Sequence, residues 1–271
     1  MSIRLLLCDV DGTLVRHDKS LGPPVVDAVA RCQAAGVPVS IISARPMSGM
    51  LWIAERLKIV EPMAAFNGGT IFDADGQTRA AEHIAPDAAA RALAMLEKPG
   101  IDRWLFADGK WYAQTGEGDH AARERGSAGI EPTVVQDFAG LTGRADKIVG
   151  VCDDHALLVM LEPELADALG DHAHVSRSQA YYLDVTAPHA DKGYGVAALA
   201  KGAGVSLDEV AVIGDQRNDM PMFARAGLSI AMSQGPDEVR AAATHVTLSN
   251  DEDGVAHAID TWILPVIGAR P

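Results

Sequence analysis

Two short acidic clusters in this chain stand where carboxylates could do chemistry. Asp9 and Asp11 directly follow the apolar run Leu5-Leu6-Leu7-Cys8, and Asp215 and Asp219 follow the equally apolar Val210-Ala211-Val212-Ile213. Residues two apart in extended backbone share a face, so Asp9 and Asp11 point the same way if the strand conformation runs on to Asp11. Carboxylates crowded at a strand end repel one another and need a cation or a shared proton. Hard oxygen ligands from two neighbouring strand ends suit Mg²⁺. Either cluster alone reads as a solvated turn; both together, at the ends of strongly apolar strands, point to a metal site. The Asp-x-Asp-Gly string is not itself the signal, because it recurs at Asp73–Gly76 and Asp251–Gly254. The former reads as a hairpin turn after Thr70-Ile71-Phe72, the latter as a helix N-terminus, where acids are favoured. None of the three continues into a calcium-loop pattern.

Three further positions supply complementary groups. Ser43-Ala44-Arg45 follows Val39–Ile42, and its hydroxyl and backbone N–H groups could hold an anion near the next helix. Asn67-Gly68-Gly69 follows Ala64-Ala65-Phe66, and the glycines permit close approach of the backbone. Lys192 opens a helix in Asp191-Lys192-Gly193; taken alone, it is a surface charge with no role.

The elements that must position these residues fall into two textures. Ile3–Cys8 is a strand apolar without alternation, hence buried on both faces. Pro23 and Pro24 open a helix that Gly36 closes; Val37–Ser43 is a strand, Ser48–Leu57 a helix and Met63–Asn67 a strand. That alternation predicts an α/β, Rossmann-like parallel sheet covered on both faces. From Ile84 the pattern changes. Pro86–Lys98 is helical, Arg103–Ala107 and Lys110–Gln114 flank the two-residue turn Asp108-Gly109, and Lys147–Cys152 is a strand leading into a helix through Leu157–Leu161. Val175–Ser178 and Tyr181–Val185 form a further antiparallel pair, while Glu117–Gly129, polar and glycine-rich, is left without an element. After Thr186 the first texture returns: helix Lys192–Ala203, strand Val210–Ile213, helix Asn218–Ala226, strand Leu228–Ala231, helix Asp237–Ala243, strand Val246–Leu248, and a helix from Asp253. The expected organisation is a discontinuous core, 1–83 and 185–271, with an α+β cap inserted at 84–184.

Composition narrows the partners. With 271 residues, 48% hydrophobic and 22% charged, the chain can bury a sizeable core. A net charge of −14 argues against a nucleic-acid or anionic-membrane surface. The three cysteines, Cys8, Cys32 and Cys152, are scattered and read as buried small hydrophobes in a reducing compartment. Arg4 and Asp9 interrupt any signal-like start, and no apolar run approaches the roughly 18–20 residues of a membrane span. The expectation is a soluble, cytoplasmic monomer or homodimer.

Taken in order, five strings resemble the haloacid dehalogenase-like (HAD) phosphohydrolases, and among them the Cof-type group with its cap between the second and third motifs. They are Asp9–Leu14, Ser43-Ala44-Arg45, Asn67-Gly68-Gly69, Asp191-Lys192-Gly193 and Gly214–Asp219, with Ser249–Val255 as a similar tail. Two positions depart from the pattern. Ser43-Ala44-Arg45 replaces Thr-Gly-Arg but keeps a hydroxyl, and Ser233-Gln234-Gly235 stands where Gly-Asn-Ala is common. The resemblance implies a phosphatase of small phosphorylated metabolites, sugar phosphates or nucleotide- and flavin-type cofactors. Asp9 would be the nucleophile forming an aspartyl phosphate, and Asp11 the general acid and base. Mg²⁺ would be held by Asp9, the Asp11 backbone carbonyl and Asp215, with Asp219 helping directly or through water. Ser43, Asn67, Lys192 and Asn218 would orient the phosphoryl oxygens, and Arg45 would serve a structural or substrate-side role. A hexose-phosphate phosphomutase and a non-catalytic phosphate-sensing module are the alternatives; Asp11 speaks against the second, which needs no acid for a leaving alkoxide.

Overall fold

The computed structural model describes residues 2–267. The chain begins with β1 (Leu5–Cys8), α1 (Pro23–Ala34), β2 (Val39–Ile41), α2 (Ser48–Leu57) and three short strands, β3 (Met63–Ala65), β4 (Thr70–Phe72) and β5 (Thr78–Ala81). Its middle contains α3 (Pro86–Met95), β6 (Asp102–Ala107), β7 (Lys110–Ala113), α4 (Asp119–Ala128), β8 (Pro132–Val134), β9 (Lys147–Val151), α5 (His155–Leu169), β10 (His174–Gln179) and β11 (Tyr182–Thr186). It closes with α6 (Lys192–Gly202), β12 (Val210–Gly214), α7 (Met220–Phe223), β13 (Leu228–Ala231), α8 (Asp237–Ala242), β14 (His245–Val246) and α9 (Gly254–Ala258).

The first and last parts share one parallel sheet in the order β14-β13-β12-β1-β2, extended by a parallel bridge from Ile42 to Ala64 of β3. The non-alternating β1 run is explained by burial on both sides. Leu6 and Cys8 pack with the helices carrying Val25, Met50 and Val255, whereas Leu5 and Leu7 pack with Val196, Met222 and Val239. A sheet covered by helices on both faces is what makes its strands uniformly apolar and leaves chemistry to their carboxyl ends.

The middle part forms a separate six-stranded sheet, β10-β11-β9-β6-β7-β8, in which only β7 and β8 run parallel. Alternation sorts its residues cleanly. Leu105, Ile148, Leu183 and Val185 face a core built with α3 and α5, while Trp104, Phe106, Val149 and Tyr182 face the other way and join the core beneath. The turn at Asp108-Gly109 has φ of 52° and 69°, the left-handed pair that a two-residue hairpin of this twist requires. Phe106 meets Phe66, at the end of β3, with ring centroids 5.8 Å apart, so the two sheets touch beside the strand ends.

Several elements differ from expectation. The unassigned Glu117–Gly129 stretch contains α4, whose buried residues are only Ala121 and Ala128; without large apolar side chains it has no helical hydrophobic period to read. The strand expected at Val246–Leu248 is His245–Val246, and the helix expected from Asn218 starts as a 3-10 turn, Arg217–Asp219, before α7. Among the described residues, no helix is long and apolar enough to cross a membrane.

Candidate active site

The carboxyl edge of the parallel sheet collects the candidate residues. β1 ends at Cys8 and presents Asp9, whose backbone N–H donates to the Ile213 carbonyl of β12 at 2.9 Å. β12 ends in Gly214 and presents Asp215; the 3-10 turn after it turns Asp219 back beneath the same edge. One oxygen from each of Asp9, Asp215 and Asp219 lies within 4.8 Å of the others, and all three residues are buried. Asp219 Oδ2 accepts the backbone N–H groups of Asp215 (2.7 Å) and Gln216 (2.8 Å), and Asp215 Oδ1 accepts the Thr13 hydroxyl at 3.2 Å. Gly12, at φ +80°, lets the loop after Asp11 pass over Asp215, where a Cβ would stand 2.4 Å from Asp215 Oδ2.

Lys192 answers this crowding. Its side chain is 1% exposed, and Nζ donates at 2.5 Å to both Asp9 Oδ1 and Asp219 Oδ1. A cation in the first turn of a helix opposes the helix dipole, so these two carboxylates, rather than α6, hold it there. Burial would strip its proton, but the charges of Asp219 and Asp9 overcome that and raise its pKa. Three buried carboxylates still face one ammonium. Burial raises Asp9 well above the ordinary carboxylate range, against Lys192 and with help from Asp219 and Asp215. Asp215 is pushed up to about 6 by burial and then by Asp219. Hard oxygen donors with negative charge left uncompensated are the donor set that fits a divalent cation such as Mg²⁺.

Asp11 is placed apart from that trio. Its carboxylate accepts Arg45 Nε on Oδ2 (2.6 Å), Arg45 Nη2 on Oδ1 (2.8 Å) and Lys19 Nζ on Oδ1 (2.7 Å). Burial would raise its pKa, but the Arg45 hydrogen bonds and the charges of Arg45 and Lys19 hold it below the ordinary range. A second line of polar groups runs along the neighbouring strand ends. Ser43 Oγ accepts the Arg45 backbone N–H at 3.2 Å, Asn67 N–H donates to the Ser43 carbonyl at 2.7 Å, and Asn218 Nδ2 donates to Asn67 Oδ1 at 3.2 Å. All eight residues singled out in the sequence therefore lie at one edge, with the Asp11 side chain turned to the arginine.

Reading the sequence alone does not find Lys19, eight residues from Asp11 in a loop with no motif, nor the bidentate grip of Arg45 across 34 residues. The contacts of Gln234, which the sequence marks only as a departure, are likewise tertiary: its Nε2 donates to the Gly12 carbonyl at 2.6 Å and its Oε1 accepts the Asn250 N–H at 3.3 Å. The Ser233-Gln234-Gly235 departure thus keeps a side chain that braces the Asp9–Leu14 loop.

A family model described as haloacid dehalogenase-like hydrolase matches residues 6–259. A protein of Streptococcus pyogenes serotype M6 is 28% identical over 97% of this chain and 100% of its own length. An HMP-PP phosphatase of Escherichia coli O6:H1 is 25% identical over 96% of each chain. A solved HAD subclass IIB sugar phosphatase superposes with a TM-score of 0.84 at 22% identity, covering 97% of this chain and 100% of its own. With the family model matched over residues 6–259, the chain belongs to the haloacid dehalogenase-like hydrolases, and its carboxylate trio and buried lysine at the strand ends sit within that match.

Proposed function

We propose that the protein is a cytoplasmic, Mg²⁺-dependent phosphatase of small phosphorylated metabolites that works through an aspartyl phosphate on Asp9. The observation that carries this reading is the Asp9–Lys192–Asp219 contact beside Asp215, buried at the end of the central strand. Asp9 directly follows the central strand β1, and among the described residues its carboxylate accepts from Lys192 alone, whereas Asp215 also accepts the Thr13 and Gln216 side chains and Asp219 two backbone N–H groups; the least encumbered carboxylate suits a nucleophile. Asp9 Oδ attacks phosphorus as the bond to the leaving oxygen breaks opposite and Asp11 gives that oxygen a proton; water then opens the aspartyl phosphate, with Asp11 taking a proton back from it. Lys192, Ser43, Asn67 and Asn218 orient the phosphoryl oxygens. Asp9, Asp215 and the Asp11 backbone carbonyl would hold the metal ion, with Asp219 directly or through water. When bound, it would offset the repulsion between a carboxylate and a phosphate dianion.

The division into a core of 1–83 and 185–271 and a cap of 84–184 belongs to the same reading. Its support is the separate apolar cluster that starts at Ile84 and ends at Val185. A cap in contact with the strand ends would exclude water and give the substrate's leaving group its surroundings, which favours small molecules over proteins. The relatives whose names specify phosphatase activity support the reaction class.

The purified protein is expected to release phosphate from p-nitrophenyl phosphate with Mg²⁺ and to stop with EDTA. Asp9→Asn is expected to lose roughly 10³-fold or more of the rate, as removal of a covalent nucleophile does. Wild-type turnover by Asp9→Asn would overturn the assignment.

A further inference from the structure

The face of the second sheet that packs toward the core carries a polar group among its aromatics. Lys147 of β9 stands directly across from Phe106, the residue that meets Phe66, and Tyr182 and Asp184 project from the same side of β11. Lys147 Nζ lies 2.7 Å from Asp184 Oδ2, yet both Asp184 oxygens are buried and neither accepts a hydrogen bond among the described residues. Glu124 joins this group from α4. Its Oε2 accepts the hydroxyls of Tyr182 and Ser127, each at 3.3 Å, while nothing among the described residues donates to Oε1. Burial raises its pKa, Lys147 works against that, and the charge of Asp184 adds to it. One turn on, the Ser127 carbonyl accepts from Arg45, the same guanidinium that grips Asp11, so Glu124 stands next to the proposed acid and base.

Two carboxylates here share one ammonium. Arg45 does not make up the difference, because its donors go to Asp11 and to the Gly49 and Ser127 carbonyls. A carboxylate kept from water without its full set of donors is destabilising until a charged donor meets it. Asp184 is sealed, but Glu124 is half-buried and within reach of a ligand.

Resting on the phosphatase reading above, we propose that Glu124 is a specificity-determining residue for the leaving group and that the preferred substrates carry a protonated amine on their alcohol part. With the phosphoryl group at Asp9 and the ester oxygen beside Asp11, the ammonium donates to Glu124 Oε1. Tyr182 and Ser127 hold Oε2, so the free oxygen is the one presented. A hydroxyl in the same place makes a weaker, uncharged bond, and an anionic substituent is repelled by Glu124 and Asp184.

The test is phosphate release from matched pairs, glucosamine 6-phosphate against glucose 6-phosphate and pyridoxamine 5′-phosphate against pyridoxine 5′-phosphate, with p-nitrophenyl phosphate run alongside. In at least one pair the amino member is expected to exceed its hydroxyl partner about tenfold in kcat/KM, the scale of a charge-assisted over a neutral hydrogen bond. Glu124→Gln, which keeps the size and an oxygen for Tyr182 and Ser127, is expected to shrink that ratio about tenfold. A role in folding alone would change both members of a pair alike and leave the ratio in place. Equal turnover within both pairs, faster turnover of the hydroxyl members, or an unchanged ratio in Glu124→Gln overturns the proposal while leaving the phosphatase intact. Release from p-nitrophenyl phosphate alone does the same. No release from any probe, p-nitrophenyl phosphate included, overturns the phosphatase reading and this inference with it.

Discussion

Arg45 holds the Asp11 carboxylate in a fork, Nε to Oδ2 at 2.6 Å and Nη2 to Oδ1 at 2.8 Å, while its Nη1 reaches the Ser127 carbonyl at the end of α4. One guanidinium therefore ties the proposed acid and base to helix α4 of the inserted part. A lysine keeps the charge but cannot reproduce the fork or serve both sides at once. Arg45→Lys is expected to lower kcat about 10²-fold, the scale of an ångström-level misplacement. Arg45→Met, which leaves Asp11 to Lys19 alone and two carbonyls without their donor, is expected to cost on the order of 3 kcal/mol of stability in urea unfolding. Wild-type kcat in Arg45→Lys would show that the fork does not position Asp11.

Asp215 carries a pH signature. Its pKa rises from 3.8 to about 6 through burial and the neighbouring Asp219 charge. A folded pKa above the unfolded one contributes stability that is full below about pH 4 and is lost as pH climbs through 6. In EDTA the wild type should therefore weaken between pH 4 and pH 8 by about 3 kcal/mol from this group. Asp215→Asn removes that dependence, so its stability relative to wild type should climb by the same amount over the same range. Parallel pH curves for the two proteins would contradict the argument.

Metal should act in the opposite sense. A cation on the carboxylate trio binds the folded state only, so Mg²⁺ at a hundredfold excess over its Kd should add about 2.7 kcal/mol. The gain should grow from pH 5 to pH 7 as Asp215 loses its proton, and should vanish in Asp215→Asn. Thermal unfolding with and without Mg²⁺ reads both effects, and an equal gain in the variant would place the ion elsewhere.

The strand ends were legible because a sheet buried on both faces writes itself as apolar runs, and each run stops at the residue it presents: Asp9, Ser43, Asn67 or Asp215. Lys192 was legible as a helix start, but not as the partner of Asp9 and Asp219, since its burial is a tertiary fact. The Arg45 fork and the Lys19 contact join residues 34 and eight apart, and no local spacing encodes where a long cationic side chain ends. Helix α4 stayed hidden for a different reason. Its inner side is two alanines and Glu124, whose pKa burial raises, so neither apolar period nor charge pattern marks it.

That same alanine-faced helix brings its C-terminal end tightly against the start of α2. Ser48 Oγ donates to the Ala128 carbonyl at 2.6 Å, and a Cβ on Gly49 would lie 2.2 Å from the Ser127 carbonyl oxygen. The obstacle is backbone, so it cannot swing aside as a side chain would. Gly49→Ala must push the end of α4 away from α2, and with it the carbonyl that Arg45 Nη1 holds. The expected cost is about 1–3 kcal/mol, as for other insertions into packed interfaces. Ser48→Ala, which removes one hydrogen bond without adding bulk, should cost about 1 kcal/mol. Because the displaced helix end is tied through Arg45 to Asp11, Gly49→Ala should also raise KM and lower kcat, whereas Ser48→Ala should leave kcat within a few-fold. Thermal unfolding and steady-state kinetics on the two variants separate the effects; a Gly49→Ala protein as stable and active as wild type would mean that α4 docks elsewhere in solution.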